Sequence, residues 1–241
     1  MNYLPVGPRD EVPVRGGRAV FLDGPDHSLD GDAVAVAPGV WAVRVAAAVV
    51  EKHGRPVAPR ELRDPLVDAA VALLRNRERV RFDPADGSEL TYDEHGVAFG
   101  ASGRPVFPRV DPAVIGIVEL KDAERLLLGM NAQRRTQFSL IAGYVSHGET
   151  LEAAFEREVM EESGRLVTDI RYVASQPWPV SGSIMVGMRG VTADEEQRAD
   201  TDGELAEIVW ASRSDILDHR IPIAAPGSIA HDLIMAWARE K

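Results

Sequence analysis

The sequence predicts an α+β protein: a mixed sheet between helices, preceded by a smaller α/β N-terminal domain. Three observations point there. Short apolar runs separated by turn residues fill residues 17–50 and recur after residue 112, with the period of strands. Helical spacing is confined to three segments, near 59–77, 150–163 and 229–237. Between the halves runs a connector rich in Gly, Pro and Asp, from Phe82 to Asp111, which reads as a domain boundary. The expected division is 1–78, 79–110 and 111–241.

Taken in order, Ala19–Leu22, Ala33–Ala37 and Val40–Val49 read as strands between Gly, Pro and Asp turns. From Pro59 to Arg77, Leu62, Leu66, Ala69, Ala70, Leu73 and Leu74 recur at helical intervals, so an amphipathic helix is expected. Ala113–Leu120 and Leu126–Met130 form a strand pair around a Lys121–Glu124 turn. A helix follows, capped by Thr150, striped by Leu151, Phe155 and Val159, and ended by Gly164. Strands are expected at Ile170–Ala174, Ser183–Arg189 and Glu207–Ala211, and Ile229, Leu233, Ile234 and Trp237 mark a closing helix. That order of strands, helix, strands, helix is what assigns the second half to the α+β class.

Composition narrows the function. With 241 residues, 45% hydrophobic and 27% charged, the chain can bury a core. Its net charge of −11 lacks the basic footprint of a general nucleic-acid binder, so a polyphosphate substrate requires metal ions or local arginines. The absence of cysteine excludes disulfides and thiolate zinc sites. Met1–Val14 does not read as a signal peptide, and the apolar run Val40–Val50 is interrupted by Arg44 and too short to span a bilayer. A cytoplasmic protein without a membrane partner is expected. The six histidines show no His-Glu-x-x-His spacing, and neither a P-loop nor Gly-x-Gly-x-x-Gly occurs. His147 reads as a loop histidine, and Asp200-x-Asp202-Gly203 as an acidic turn.

The chemistry concentrates on the helix after Thr150. Glu158, Glu161 and Glu162 stand at i, i+3 and i+4, which places three carboxylates on one face. Their repulsion turns into binding when a divalent cation is present, and hard oxygen ligands suit Mg²⁺ or Mn²⁺. An isolated Glu-x-x-Glu-Glu is ordinarily a solvated acidic face. Here, however, Gly143, Glu149, Arg157, Glu158, Glu161, Glu162 and Gly164 together match a longer pattern, which resembles the Nudix box of the Nudix hydrolases. One position departs: the aliphatic residue expected after the last glycine is Arg165, which puts local packing in question rather than the chemistry.

The resemblance implies hydrolysis of a nucleoside diphosphate linked to another group. It makes Glu158, Glu161 and Glu162 metal ligands and Glu149 and Arg157 their structural partners within the catalytic set. A further glutamate outside the box is common in the family, and Glu207 is the candidate. Downstream, Ser175-Gln176-Pro177-Trp178-Pro179-Val180-Ser181-Gly182-Ser183 resembles the signature of the NADH pyrophosphatase subfamily, and the closing Ser228-Ile-Ala-His-Asp-Leu-Ile segment is similar to theirs. This implies substrate contacts at Gln176, Trp178, Val180, Ser183 and Ala230, with Tyr144 and Phe107 as further aromatic platforms. Physically, two prolines hold Trp178 in an extended loop, where its flat face can stack on a base. The resemblance implies NAD(H) or an NAD-derived dinucleotide as substrate, and the replacement of the signature's Phe and Pro by Val180 and Ser181, which removes a ring and a backbone restraint, points to a modified or bulkier relative of NAD. An NAD-capped RNA end is a variant that the acidity mildly disfavours. The competing expectations are a non-catalytic module sensing an NAD-like or ADP-ribose ligand, and a hydrolase of the same family for another nucleoside diphosphate such as ADP-ribose. The resemblance also implies a homodimer.

The subfamily usually carries a zinc ribbon before its catalytic domain, with two Cys-x-x-Cys pairs. Asp83-Pro-Ala-Asp86 and Gly100-Ala-Ser-Gly103 occupy the corresponding places, and aspartates with glycines cannot close a structural zinc site. A zinc-free, ribbon-like connector is therefore expected, stabilised by packing on flanking domains or a second subunit.

Overall fold

The computed structural model describes residues 1–24 and 32–240, and their contacts group them into two compact units. The first comprises residues 1–110 with 177–183; the second comprises residues 111–176 and the chain from 184 onward.

In the first unit, β1 (Asn2–Val6), β2 (Val12–Arg15), β3 (Arg18–Ala19), β4 (Leu22–Asp23), β5 (Val34–Ala37) and β6 (Val40–Arg44) precede α1 (Ala47–His53) and β7 (Arg55–Val57). They form a four-stranded sheet, β4-β1-β6-β5, in which β1 and β6 are parallel, and a three-stranded sheet, β3-β2-β7. The apolar run expected as one strand to Val49 breaks after Arg44 and continues as α1. Alanine is the best helix former, and Ala46–Ala48 favour that outcome over a strand. The helix expected from Pro59 to Arg77 is likewise divided, into α2 (Pro59–Leu62) and α3 (Pro65–Arg79). A proline disfavours helical geometry in the residue before it, so Pro65 forces the break. Asp64 then caps α3 by accepting from the Leu66 N–H at 2.9 Å. Val67, Ala70, Val71 and Leu74 of α3 pack with Leu4, Val6, Val34 and Ala42 of the sheet. Asp10, 2% exposed, is held in this unit by Arg75 at 2.5 Å and Arg44 at 3.1 Å.

The connector contains β8 (Thr91–Tyr92), β9 (Ala98–Phe99) and β10 (Pro105–Val106), which form a small antiparallel sheet. Its two turns are joined from within, and it also packs on the preceding α3 and β5 as expected: Arg77 donates to the Asp93 carbonyl at 3.1 Å and the Ala35 N–H to the Glu94 carbonyl at 2.6 Å. Asp83, 2% exposed, accepts from the Ser102 hydroxyl at 2.5 Å and the Ala85 N–H at 2.8 Å. Ser88 donates to Asp86 at 2.6 Å and accepts from the Ala101 N–H at 2.7 Å. A Cβ on Gly100 would lie 2.5 Å from the Ser88 hydroxyl and 2.7 Å from Asp83, so only glycine lets the turns close. These carboxylates already serve hydroxyl and N–H donors, and the set does not fit zinc. Asp83→Ala is expected to cost ~1–3 kcal/mol by leaving buried donors unpaired. Limited proteolysis should then cut between residues 80 and 110, whereas EDTA should leave the wild-type pattern unchanged; an EDTA-sensitive wild type would overturn this account.

The second unit contains β11 (Asp111–Leu120), β12 (Arg125–Asn131), β13 (Ile141–Tyr144), α4 (Leu151–Ser163), β14 (Thr168–Trp178), β15 (Ser183–Thr192), β16 (Leu205–Ser212), α5 (Arg213–Leu217) and α6 (Ile229–Arg239). The sheet order is β14-β15-β11-β12-β16, with β13 also paired to β11. β12 and β13 are antiparallel to β11, whereas Gly116 lies against Met188 and Lys121 bonds Thr192, so β11 and β15 run in one direction. The sheet is thus mixed, and helices cover both faces. Val114, Val118 and Leu127 face Phe155 and Val159 of α4. Ile115, Ile117, Leu126 and Leu128 face Leu233, Ile234 and Trp237 of α6. Gly116 admits the Phe155 ring, because a Cβ there would lie 2.5 Å from it. Among the described residues no helix is long and apolar enough to cross a membrane.

Candidate active site

The carboxylate face of α4 is set by both ends of the helix. Thr150 caps it, accepting from the Ala153 N–H at 3.1 Å. Gly164 ends it in the left-handed region at φ 67°, and a Cβ there would lie 2.3 Å from the Ala199 carbonyl oxygen. That close approach docks the 193–204 segment on the helix terminus. Arg198 N–H donates to Gly164 at 2.8 Å and Asp202 N–H to Glu161 at 2.9 Å. Arg165 answers the question its departure raised. It is 7% exposed and donates to the carbonyls of Ser163 at 2.7 Å and Glu195 at 2.8 Å, with its guanidinium 5.5 Å from the Trp210 ring centre. A cation replaces an aliphatic side chain here because backbone carbonyls satisfy it.

Arg157 is the hub beneath the carboxylates. It grips Glu149 in a fork at 2.6 and 3.0 Å, and reaches Glu158 at 2.8 Å, Glu161 at 2.9 Å and the Tyr144 carbonyl at 3.0 Å. The hydrogen bonds from Arg157, with help from the Ser146 N–H, lower the Glu149 carboxyl to about 2. Glu149 therefore remains an anionic clamp at any physiological pH.

Glu162 has the opposite environment. It is 5% exposed, and burial, reinforced by Glu158, Glu204 and Asp202, pushes its carboxyl up to about 8 against the pull of the Ala142 N–H. Glu158 is also raised, chiefly by burial and despite Arg157. Its carboxylate fills the space beside Gly143, where a Cβ would lie 1.9 Å away. The first box glycine is thus a requirement of Glu158 itself. Glu161 sits at the rim, with 49% of its side chain exposed.

The second-unit cleft of about 240 Å³ beside these groups has Glu162 and Glu204 on its wall with Asn131, Arg134, Thr136 and Gln137. Glu204 thus stands where Glu207 was expected. Glu207 is exposed on β16 opposite Met130, and strand alternation places it with Val209 and Ala211 on the α6 side of the sheet. The turn at 200–203, read from sequence as merely acidic, brings Asp202 towards Glu162. Sequence reasoning also passed over Arg134; its only signal was its place in a polar stretch between two strands of the catalytic sheet.

Several expected substrate contacts have other duties. The Gln176 amide donates to the Gly227 carbonyl at 2.8 Å and accepts from the Ile229 N–H at 2.6 Å, so it fixes the start of α6. Ala230 is 4% exposed and packs within the core that α6 forms on the sheet. Ser183 is 5% exposed, with its hydroxyl 2.8 Å from that of Ser181. Tyr144 is 56% exposed in the second unit. In the first unit Phe107 and Val180 are exposed and Trp178 is half-buried. The Trp178–Gly182 turn is held there by Arg79, which donates to the Val180 carbonyl at 2.7 Å and the Ser181 carbonyl at 3.1 Å.

Among the described residues, no three acidic or imidazole groups stand ready as a closed metal cage. The donor set nevertheless fits a hard divalent cation: Glu158, Glu162 and Glu204 gather negative charge, partly buried, beside an open cleft.

Comparison with known proteins agrees with this geometry. The NUDIX domain model matches residues 110–231. The chain is 35% identical over 227 residues to the NAD-capped RNA hydrolase NudC of Mycobacterium bovis, covering 83% of this chain and 71% of that protein. It is 32% identical over 194 residues to the human NAD-capped RNA hydrolase NUDT12, covering 72% of this chain and 41% of the relative. The fold is similar to a NUDIX hydrolase crystal structure from Nitrosomonas europaea, with a TM-score of 0.54 and 22% identity over 67% of this chain and 92% of that one. A carboxylate helix, its glycine-bounded loop and these matches converge on one conclusion: the chain belongs to the Nudix hydrolase family.

Proposed function

We propose that this protein hydrolyses the pyrophosphate bond of NAD(H) or an NAD-derived dinucleotide, releasing AMP and the other mononucleotide, with Mg²⁺ or Mn²⁺ as cofactor. The observation that carries this reading is the gathering of Glu158, Glu204 and the buried Glu162 beside an open cleft of about 240 Å³. The likeness to NAD-capped RNA hydrolases across most of the chain supports the substrate class. A divalent cation bound there supplies charge neutralisation at the diphosphate and a lowered pKa for an attacking water. Glu158, Glu162 and Glu204 are the donors that hold it, with Glu161 joining from the rim. Arg157, tied to Glu149, keeps Glu158 and Glu161 oriented by hydrogen bonds of 2.8 and 2.9 Å.

Tyr144, exposed beside Gly143, offers a flat face to a base or nicotinamide ring. Trp178, Phe107 and Val180 are proposed as substrate contacts on the strength of the sequence signature. An NAD-capped RNA end presents the same dinucleotide, and at a net charge of −11 recognition would be confined to the cap. The proposal includes a homodimer and a cytoplasmic location.

Incubation with NAD, NADH, ADP-ribose, Ap4A and an NAD-capped oligoribonucleotide, each with Mg²⁺ or Mn²⁺, followed by product separation, tests this. AMP and nicotinamide mononucleotide, in oxidised or reduced form, are expected from the first two. Cleavage of none of the five would overturn the hydrolase reading, and binding without cleavage would favour a sensor.

A further inference from the structure

Arg134 stands out once the charges of the second-unit cleft are compared. The ionisable side chains on its wall are Glu162, Glu204 and Arg134, so a single cation faces two carboxylates. The Arg134 guanidinium makes no hydrogen bond or ion pair with any described residue. Its neighbour Arg135 donates instead to the Ala132 carbonyl at 3.4 Å, and Arg157 is engaged by three glutamates. An arginine placed at a carboxylate site yet unpaired is available to an incoming anion.

The turn that carries it is preformed. Asn131 accepts from the Gln133 N–H at 2.9 Å through its side chain and from the Arg134 N–H at 3.1 Å through its carbonyl. The Ala132 N–H donates at 2.8 Å to the carbonyl of Glu204, and Thr136 N–H donates to Arg134 at 2.8 Å. The backbone bearing the cation is thus bonded to the backbone bearing one of the anions. On the same wall, Gly129 leaves room for the Leu205 side chain, because a Cβ there would lie 2.5 Å from its Cδ1.

We propose that Arg134 is a phosphate-binding residue of this cleft, holding one phosphate of a nucleoside diphosphate while the carboxylates serve the other side of the same linkage. The inference rests on the hydrolase reading for the identity of the ligand, but not for its existence. A guanidinium offers a planar fork that matches phosphate oxygens, and its charge offsets the repulsion that a diphosphate meets in an acidic cleft. Asn131, Thr136 and Gln137 line the same wall and supply neutral donors around it. The cleft of about 240 Å³ is far larger than the space one bound water needs, so it can admit a ligand.

The test compares wild type with Arg134→Ala, Arg134→Lys and the neighbouring Arg135→Ala. Arg134→Ala should raise KM for NADH by ~10-fold or more with a smaller change in kcat, and weaken AMP binding, measured by calorimetry with Mg²⁺, by a similar factor. Arg134→Lys should recover part of both, and Arg135→Ala should leave both within about twofold. Mn²⁺ binding without nucleotide and thermal stability should be unchanged in Arg134→Ala, which separates a phosphate contact from a structural one. Cleavage by the wild type with KM and AMP affinity unaltered in Arg134→Ala overturns this inference and leaves the hydrolase reading intact. No cleavage by the wild type, with AMP binding still dependent on Arg134, overturns the hydrolase reading alone.

Discussion

Glu162→Gln is expected to lower metal-dependent turnover by at least about 100-fold while making the protein more stable in EDTA. Outer-shell changes at metal sites already cost about 10–100-fold, and a direct donor should exceed that. The gain in stability has a separate cause. Glu162 is 5% exposed and surrounded by Glu158, Glu204 and Asp202, so folding places a carboxyl among like charges where water cannot screen it. Glutamine has nearly the same shape, can still accept from the Ala142 N–H, and carries no charge. Removing that penalty should be worth on the order of 1–3 kcal/mol at neutral pH. Paired measurements of NADH hydrolysis and urea unfolding in EDTA read both effects. A variant that is inactive and also less stable would show that Glu162 is a structural buried acid rather than a strained functional one.

Gly164→Ala should damage stability and catalysis together. The residue ends α4 at φ 67°, where an L side chain costs ~1–2 kcal/mol. The new Cβ would also lie 2.3 Å from the Ala199 carbonyl oxygen, so the 193–204 segment must move away from the helix. That segment delivers Asp202 and Glu204 to Glu162, and Arg165 helps to anchor it. We expect a loss of more than about 2 kcal/mol by denaturant unfolding, and reduced turnover in whatever fraction stays folded. Turnover per folded molecule equal to wild type would mean that the docked segment plays no part in the reaction, and would remove Glu204 from the proposed donors.

The carboxylate helix was legible in the sequence because its information is local. Spacing of three and four residues fixes which side chains share a face, so Glu158, Glu161 and Glu162 fall together wherever α4 packs. Thr150 and Gly164 likewise act within a turn of the chain, and the Glu149–Arg157 fork links residues eight apart. Alternating apolar runs also fixed the α+β class, since burial of one or both faces dictates period two.

Only the tertiary structure shows which glutamate stands beside the helix. Glu204 and Glu207 are equivalent in composition, and strand alternation with the β-bulge between Met130 and Asn131 puts them in different surroundings. Gln176 and Ala230, which a signature alone marks for substrate, are used by packing and by the start of α6. The ribbon turns are held by Asp83 with Ser102 and by Ser88 with Ala101, contacts between segments more than ten residues apart. Arg134 gains its meaning from a backbone bond between its turn and Glu204, 70 residues away in the chain. Such pairings depend on long-range register and loop docking, which no local spacing encodes, whereas the carboxylate helix is written in one short segment.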